Sequence, residues 1–177
     1  MREQVGETVV YWVDDHDVVT DVSGGWDGFA RENDGGAVLR DLVLGRTLWS
    51  FIEGDATRML LSTLLGAVRT HGKTLVRRYR CDSPTHRRHM EMRLSRDGDR
   101  VRLEHRILRE ERMTPGVRFH YRRGPDALVR CSMCNRVKLD AEWREASDAA
   151  AEGRLPTEAA VVYSVCARCR TDIGRGA

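Results

Sequence analysis

Two cysteine pairs, Cys131-Ser-Met-Cys134 and Cys166-Ala-Arg-Cys169, are the most informative stretches of the sequence. In each pair two residues separate the cysteines, so a tight turn places both thiols on the same side of the chain. A total of 31 residues separate the two pairs. Two such turns brought together make a tetrahedral four-thiolate site, which is typical of structural zinc. The sequence therefore predicts a C-terminal module held together by Zn(II) on Cys131, Cys134, Cys166 and Cys169.

The chemistry of these thiols leaves three alternatives open. The zinc can be purely structural, the thiols can form a redox switch, or the cysteines can pair as disulfides. A catalytic zinc usually keeps an open coordination position and often uses His, and nothing in these pairs marks one. The apolar residues available to the module are Val137, Leu139, Trp143, Val162 and Val165. Because so small a core does not fold without a cross-link, the composition favours structural zinc.

Length and composition predict one soluble globular domain with a small appendage. The chain has 177 residues, of which 41% are hydrophobic and 32% are charged. Residues 1–20 do not have the pattern of a secretory signal, and no stretch approaches the ~20 apolar residues of a membrane span. Cysteines spaced for metal binding, in a chain without a signal peptide, indicate a reducing cytoplasmic location.

Charge is distributed unevenly along the chain. Residues 1–76 carry 7 basic and 12 acidic side chains, whereas residues 77–112 carry 12 basic and 7 acidic ones. All twelve basic residues of the second segment are arginine, which can line a solvated sheet face or dock an acidic partner or phosphate. The net charge of +3 falls to about +1 when four thiolates bind one Zn(II), so general nucleic-acid affinity is not implied.

Hydrophobic periodicity predicts an α+β fold for residues 1–112. Residues 8–14 and 18–22 have the composition of two short strands in a hairpin, and short helices follow. Residues 56–70 carry leucines at three- and four-residue spacing, which predicts the longest helix.

Three further strands are expected after that helix. Residues 74–82, 88–95 and 100–108 alternate apolar and polar side chains, and Asp97-Gly98 is a strong hairpin turn. The sequence therefore predicts an antiparallel sheet with helices on one face and a wet, arginine-rich opposite face.

This order of elements resembles that of the PAS family of sensory domains. The resemblance covers residues 1–112 and is sharpest at 26–30 (Trp-Asp-Gly-Phe-Ala) and at 43–52 (Val-Leu-Gly-Arg-Thr-Leu-Trp-Ser-Phe-Ile). The second stretch is similar to the V-x-G-x-x-(aromatic or apolar) segment ahead of the family's long helix. The resemblance implies a sensory unit that responds to a ligand or redox state and forms homodimers.

PAS domains commonly hold a ligand between helices and sheet, and this chain offers candidate lining residues. They are Trp26, Phe29, Trp49, Phe51, Leu64, Tyr79, Met90, Met92 and His105. Each of them equally suits an ordinary core. A filled core and a pocket for an unidentified small molecule therefore both stay open.

The remaining residues predict a linker at 113–130 and the four-cysteine module at 131–177. Pro-Gly and Gly-Pro pairs mark the linker, in which residues 117–121 form one short strand. Residues 140–152 read as a helix, and 161–165 as a strand that leads into the second cysteine pair. The layout resembles a short cysteine-rich tail found after PAS or receiver domains in bacterial signalling proteins.

The sequence carries no enzyme signature. The glycines near residue 35 lack the Lys and Ser/Thr of a phosphate-binding loop, and no kinase segment or Ser-His-Asp set is apparent. The chain ends four residues beyond Ile173, so we expect no output domain. We therefore expect a non-enzymatic sensor that acts in trans on a signalling partner, as a homodimer and away from membranes.

Two other functions stay open. A zinc-dependent nucleic-acid binder would place Arg130, Arg136, Lys138, Arg168 and Arg170 on phosphates, but near-neutral charge and few exposed aromatic residues count against it. A thiol redox sensor would release zinc and unfold the module on oxidation.

Overall fold

The computed structural model describes residues 8–32 and 35–174, and the chain divides into two compact units. The first unit comprises Met1–Glu53, Arg58–Arg78 and Met90–Arg109, and the second comprises Gly54–Thr57, Tyr79–His89 and Glu110–Ala177. The predicted α+β class with an antiparallel sheet is confirmed. Among the described residues, no helix has both the length and the apolar character needed to cross a membrane.

The first sheet follows the predicted order of elements. Its strands are β1 (Thr8–Val13), β2 (Val19–Val22), β3 (Leu75–Arg80), β4 (His86–Asp97) and β5 (Arg100–Arg112). Between β2 and β3 lie α1 (Trp26–Glu32), α2 (Arg40–Val43), α3 (Asp55–His71) and 3-10 turns at Gly36–Val38 and Leu48–Ser50. The strands are arranged in the order β2-β1-β5-β4-β3, and β1 is antiparallel to β5.

Alternating burial identifies the packed face of the first sheet. The buried apolar residues of β4 and β5 are Met90, Met92, Leu94, Val101 and Leu103. Helix α3 buries Leu61, Leu64, Leu65 and Val68, which follow the predicted three- and four-residue spacing. These alternate residues of the strands and the three- and four-spaced residues of α3 form the core of the first unit, because only one face of each element is apolar.

The second sheet mixes parallel and antiparallel pairs. Its strands are β6 (Arg118–Tyr121), β7 (Leu128–Cys131), β8 (Val137–Leu139), β9 (Glu142–Arg144) and β10 (Glu158–Ser164), in the order β6-β10-β7-β8-β9. Strand β10 is parallel to both β6 and β7, whereas β7, β8 and β9 are antiparallel to one another. The helices of this part of the chain are α4 (Ala146–Ala151) and α5 (Ala167–Gly174).

The second unit has a small core. Its buried cluster consists of Val117, Val137, Ala146, Ala149, Leu155 and Ala159. Val161 is also fully buried, while Val162, which we expected in the core, is half-buried. Strand β10 therefore buries Ala159 and Val161 and not Val162, and three of the six cluster residues are alanines.

The predicted helix at residues 140–152 is wrong in its first part. Trp143 lies in β9 and pairs with Lys138 across the β8–β9 hairpin, and the helix begins only at Ala146. Asp140 turns this hairpin with a φ of +54°, a conformation that Asp tolerates better than most residues. The segment 113–130 that we assigned to a linker contains β6 and β7, and the domain boundaries stay a prediction.

Gly54, in the second unit, has a tight contact that only glycine permits. Its φ is +84°, in the left-handed region. A Cβ atom added there would lie 2.8 Å from Cδ2 and 2.9 Å from Cβ of Tyr163. The Tyr163 ring also stacks on the Tyr121 ring, with centroids 6.0 Å apart. Tyr163 therefore contacts both Gly54 and Tyr121.

We expect Gly54→Ala to lower the free energy of unfolding by about 2 kcal/mol or more, because it combines backbone strain with a steric clash. Urea unfolding followed by circular dichroism measures the change. Gly124→Ala is the matched control in the same unit, since a Cβ there meets nothing within 4 Å. Equal stability of the two variants would contradict the packing described for Gly54.

A candidate metal centre of four cysteines

The four predicted cysteines come together in the second unit. The Sγ atoms of Cys131, Cys134, Cys166 and Cys169 all lie within 4.8 Å of one another. Cys131 and Cys166 are buried, and Cys134 and Cys169 are half-buried. All five cysteines of the chain are free thiols, and the fifth, Cys81, is not part of the cluster.

The parallel pairing of β7 and β10 brings the two cysteine pairs to one place. Ser164, the last residue of β10, lies opposite Cys131, the last residue of β7. The Ser132 N–H donates to the Ser164 carbonyl at 2.8 Å, which joins the two turns just beyond the strands. Because parallel neighbours end at the same edge of a sheet, both cysteine pairs extend from that edge.

The first cysteine pair forms a tight turn between β7 and β8. The Cys131 N–H donates to the Arg136 carbonyl at 2.8 Å, and the Asn135 N–H donates to the Cys131 carbonyl at 2.9 Å. Asn135 has a φ of +57°, and asparagine is one of the few residues that adopt this conformation readily. The residue after the second cysteine is therefore part of the turn, which our sequence reasoning missed.

The second cysteine pair lies at the start of α5. Cys166 immediately precedes the helix, and Cys169 falls in its first turn. The Cys166 N–H donates to the Cys131 sulfur at 3.4 Å, and the Cys169 N–H donates to the Cys166 sulfur at 3.5 Å. Backbone N–H groups pointing at sulfur favour the thiolate form that binds metals.

Hydrogen bonding distinguishes the acidities of the thiols. The pKa of Cys131 is lowered because the Cys134 thiol and backbone N–H groups donate to its sulfur, which outweighs the effect of burial. The pKa of Cys134 is raised chiefly because its thiol donates the hydrogen bond to Cys131. The pKa of Cys169 is raised chiefly by burial. A bound divalent metal deprotonates coordinating thiols outright, so these differences describe the metal-free protein.

The cluster has the dimensions of a tetrahedral metal site. A four-thiolate zinc centre with Zn–S bonds of about 2.3 Å has sulfur atoms about 3.8 Å apart along each edge. The Cys134 and Cys166 sulfurs are 3.9 Å apart. Four thiolates and no other donor are the ligands of structural zinc sites. The residues present therefore fit one tetrahedral metal ion that prefers thiolates.

The predicted pocket residues divide between the two units. Tyr79 belongs to the second unit, and the other eight belong to the first. Leu64, Met90 and Met92 are buried core residues. The Trp26 indole donates to the Val38 carbonyl at 2.6 Å, which fixes its orientation. The assignment of these nine residues to a ligand pocket stays a prediction.

Asp17 holds two elements of the first unit in place. Its carboxylate accepts hydrogen bonds from the Trp49 indole at 2.8 Å and from Arg69 at 2.6 Å. Its φ is +61°, and its carbonyl accepts the Leu48 N–H at 2.8 Å. Phe51 lies under the Arg46 guanidinium, 5.0 Å from the ring centroid, and Phe29 is half-buried on α1.

His105 lies in an aromatic cluster of the first unit. Its ring stacks on Tyr11 with centroids 5.5 Å apart, and Tyr11 meets Trp26 edge-on at 5.7 Å. Burial lowers the pKa of His105 to about 4 and raises the pKa of Tyr11. Both rings are therefore uncharged near neutral pH. Sequence reasoning found His105 and Trp26 but missed Tyr11.

Two arginines considered for phosphate binding have internal partners instead. Arg130 is buried, with its guanidinium 4.4 Å from the Phe119 ring centroid and its Nε donating to the Asn135 carbonyl at 3.3 Å. Arg136 donates to Glu145 at 2.8 Å. The other three residues of that proposal, Lys138, Arg168 and Arg170, are exposed.

Comparisons with known proteins leave the family open. Neither models of known protein families nor curated proteins match the chain. Among solved structures, a domain of an HTR-like protein from Haloarcula marismortui matches with a TM-score of 0.39 and 12% sequence identity. The match covers 58% of this chain and 98% of that one. At this TM-score the likeness supports neither a fold assignment nor a function.

We expect the His105 ring to titrate in the folded protein with a midpoint of about 4, because burial disfavours its charged form. The unfolded chain binds a proton near pH 6.5, so His105 contributes a loss of stability as the pH falls from there towards 4. Ring resonances followed by NMR against pH, assigned by their loss in His105→Gln, measure the midpoint. A midpoint near 6.5 would contradict the burial of this side chain.

Proposed function

We propose that the chain is a non-enzymatic signalling protein that combines a PAS-like sensory unit with a structural Zn(II) site. The observation that carries the proposal is the cluster of four thiols within 4.8 Å of one another. The order of helices and strands in the first unit supports the sensory part, because it matches the order on which the PAS resemblance rests. The signal would be a small molecule or a change of redox state.

The ligand set favours a structural role for the metal. Four protein thiolates complete the tetrahedral coordination of zinc, so no position is left for a substrate or an activated water. The second unit has a small, alanine-rich core, which buries little apolar surface. A bound metal would stabilise this unit by cross-linking the two cysteine pairs. The zinc would hold the second unit folded.

The proposed output is a change of contacts with another protein. A ligand or redox signal would shift the population of conformations in the sensory unit and so alter binding to a partner or to a second copy of the chain. This part of the proposal rests on the resemblance to PAS-containing signalling proteins. A pull-down in which neither a partner nor a second copy is recovered would count against it.

A thiol redox sensor is the second candidate. It is favoured by the 3.9 Å separation of the Cys134 and Cys166 sulfurs and by the half-buried positions of Cys134 and Cys169. Hydrogen peroxide would oxidise two zinc-bound thiolates to one disulfide, with uptake of two protons from solvent and release of two water molecules and the metal. Zinc release at low peroxide doses would identify this function, and resistance of the zinc to peroxide would leave a structural site.

We expect native mass spectrometry of the full chain, purified under reducing conditions, to show one zinc per chain. Cys134→Ser and Cys169→Ser should each lose most of the zinc, because each removes one of four thiolate ligands. Cys81→Ser is the matched control and should keep one zinc per chain, since Cys81 is outside the cluster. The same spectra report any retained small molecule and the number of subunits.

Absence of metal from the wild-type protein would overturn the zinc assignment. Loss of zinc from Cys81→Ser would show that the four-cysteine cluster is not the site. One zinc together with an additional bound mass would support a ligand sensor, and visible absorption would indicate the class of that ligand.

A further inference from the structure

We propose that Glu145 is a positioning residue for the four-cysteine site and that it holds the first cysteine turn in the shape that binds the metal. The inference rests on the proposed metal site and names residues outside the thiolate ligands. It follows from a connected set of hydrogen bonds within the second unit, which begins at the Glu145 carboxylate and ends at residues 133–136.

The Glu145 carboxylate is surrounded by three arginines. Its Oε1 accepts a hydrogen bond from Arg136 Nε at 2.8 Å, and its Oε2 accepts one from Arg80 Nη1 at 2.7 Å. Arg87 Nη2 is 3.1 Å from the same Oε2. The Glu145 side chain is 16% exposed, that of Arg80 9% and that of Arg136 34%, so the pair with Arg80 is shielded from solvent and the pair with Arg136 is partly shielded. Charge-assisted hydrogen bonds shielded in this way are stronger than surface pairs.

Arg136 connects Glu145 directly to a metal ligand. Its backbone carbonyl accepts a hydrogen bond from the Cys131 N–H at 2.8 Å, while its guanidinium binds the carboxylate. The position of the guanidinium therefore influences the position of the carbonyl that holds the Cys131 backbone. Outer groups of this kind orient metal ligands and tune their affinity.

Arg80 connects Glu145 to the same turn from the other side. Its backbone N–H donates to the Met133 carbonyl at 2.7 Å, and its carbonyl accepts from Asn135 Nδ2 at 3.0 Å. Met133 and Asn135 are the two neighbours of Cys134 in the chain. Asp82 pairs with the Arg80 guanidinium as well, so the arginine is held by two carboxylates.

These contacts connect one carboxylate to both chain neighbours of Cys134 and to the backbone partner of Cys131. Burial alone would raise the pKa of Glu145, but the hydrogen bonds from Arg136 and Arg80 lower it. The carboxylate is therefore ionised wherever the protein is folded at neutral pH. Replacing it by the isosteric amide removes the negative charge that orders the arginines, while leaving the volume of the side chain unchanged.

The experiment compares Glu145→Gln with Glu152→Gln in the full chain. Glu152 also pairs with an arginine, Arg144, at 2.7 Å, but its side chain is 45% exposed and the pair contains no residue of the cysteine turns. Zinc affinity is measured by competition with a chromophoric chelator, and the geometry of the site by the absorption spectrum of the Co(II)-loaded protein. A merely structural ion pair would change unfolding but leave the cobalt spectrum of the folded protein unaltered.

We expect Glu145→Gln to weaken zinc binding by roughly 10- to 100-fold and to change the Co(II) bands, whereas Glu152→Gln should match the wild type. Arg136→Gln should also weaken binding, and the double variant should lose little more than the stronger single variant, because both changes break one connection. Should Glu145→Gln not fold, Arg136→Gln alone decides the result.

Two failures can be told apart. If the wild-type chain binds no zinc, the metal site itself is wrong, and the positioning role falls with it. If the wild type binds zinc and Glu145→Gln binds it equally tightly with the same cobalt spectrum, only the positioning role is overturned. Fully additive losses in the double variant would likewise overturn the shared connection through Arg136.

Discussion

Parallel pairing of β7 with β10 is the constraint on which the candidate metal centre depends. The two strands end at the same edge of the second sheet, and each is followed by a C-x2-C turn. An antiparallel arrangement would separate the turns by the length of β10, roughly 20 Å for seven residues. Parallel neighbours need a crossover connection, and β8, β9 and α4 occupy it.

The rest of the second unit compensates for a limited apolar core. Three of its six clustered core residues are alanine, which buries little surface. Hydrogen bonds then carry more of the stability, and a metal ion on the four thiols would add a cross-link. Buried ion pairs are costly to form and costly to break, so they add little net stability, although removing one partner is strongly destabilising. A metal ion on four thiolates supplies binding free energy directly to folding.

The cluster of four cysteines could be predicted because its signal is local. The spacing within each C-x2-C pair can be read directly from neighbouring residues, without knowledge of any tertiary contact. The alternating strands β4 and β5 were predicted for the same reason, since one face of each is apolar over many residues. The hairpin turn at Gly98, with a φ of +64°, likewise follows from a dipeptide.

What the sequence did not reveal depends on contacts between distant segments. Trp143 lies in a three-residue strand that exists only because it pairs with β8. Strand β7 is four residues long and includes the buried Arg130, which the nucleic-acid alternative placed on phosphates. Glu145 has no neighbouring motif, and its partners Arg80 and Arg136 are 65 and 9 residues away in sequence. Such residues can be found only when the fold is known.

The central claim is that one metal ion is held by four cysteine sulfurs at this sheet edge. X-ray absorption at the zinc edge of the full chain, purified without added metal, tests it most directly. The account predicts four sulfur neighbours at about 2.3 Å and no nitrogen or oxygen ligand. A first shell with nitrogen or oxygen donors, or with fewer than four sulfurs, would contradict it.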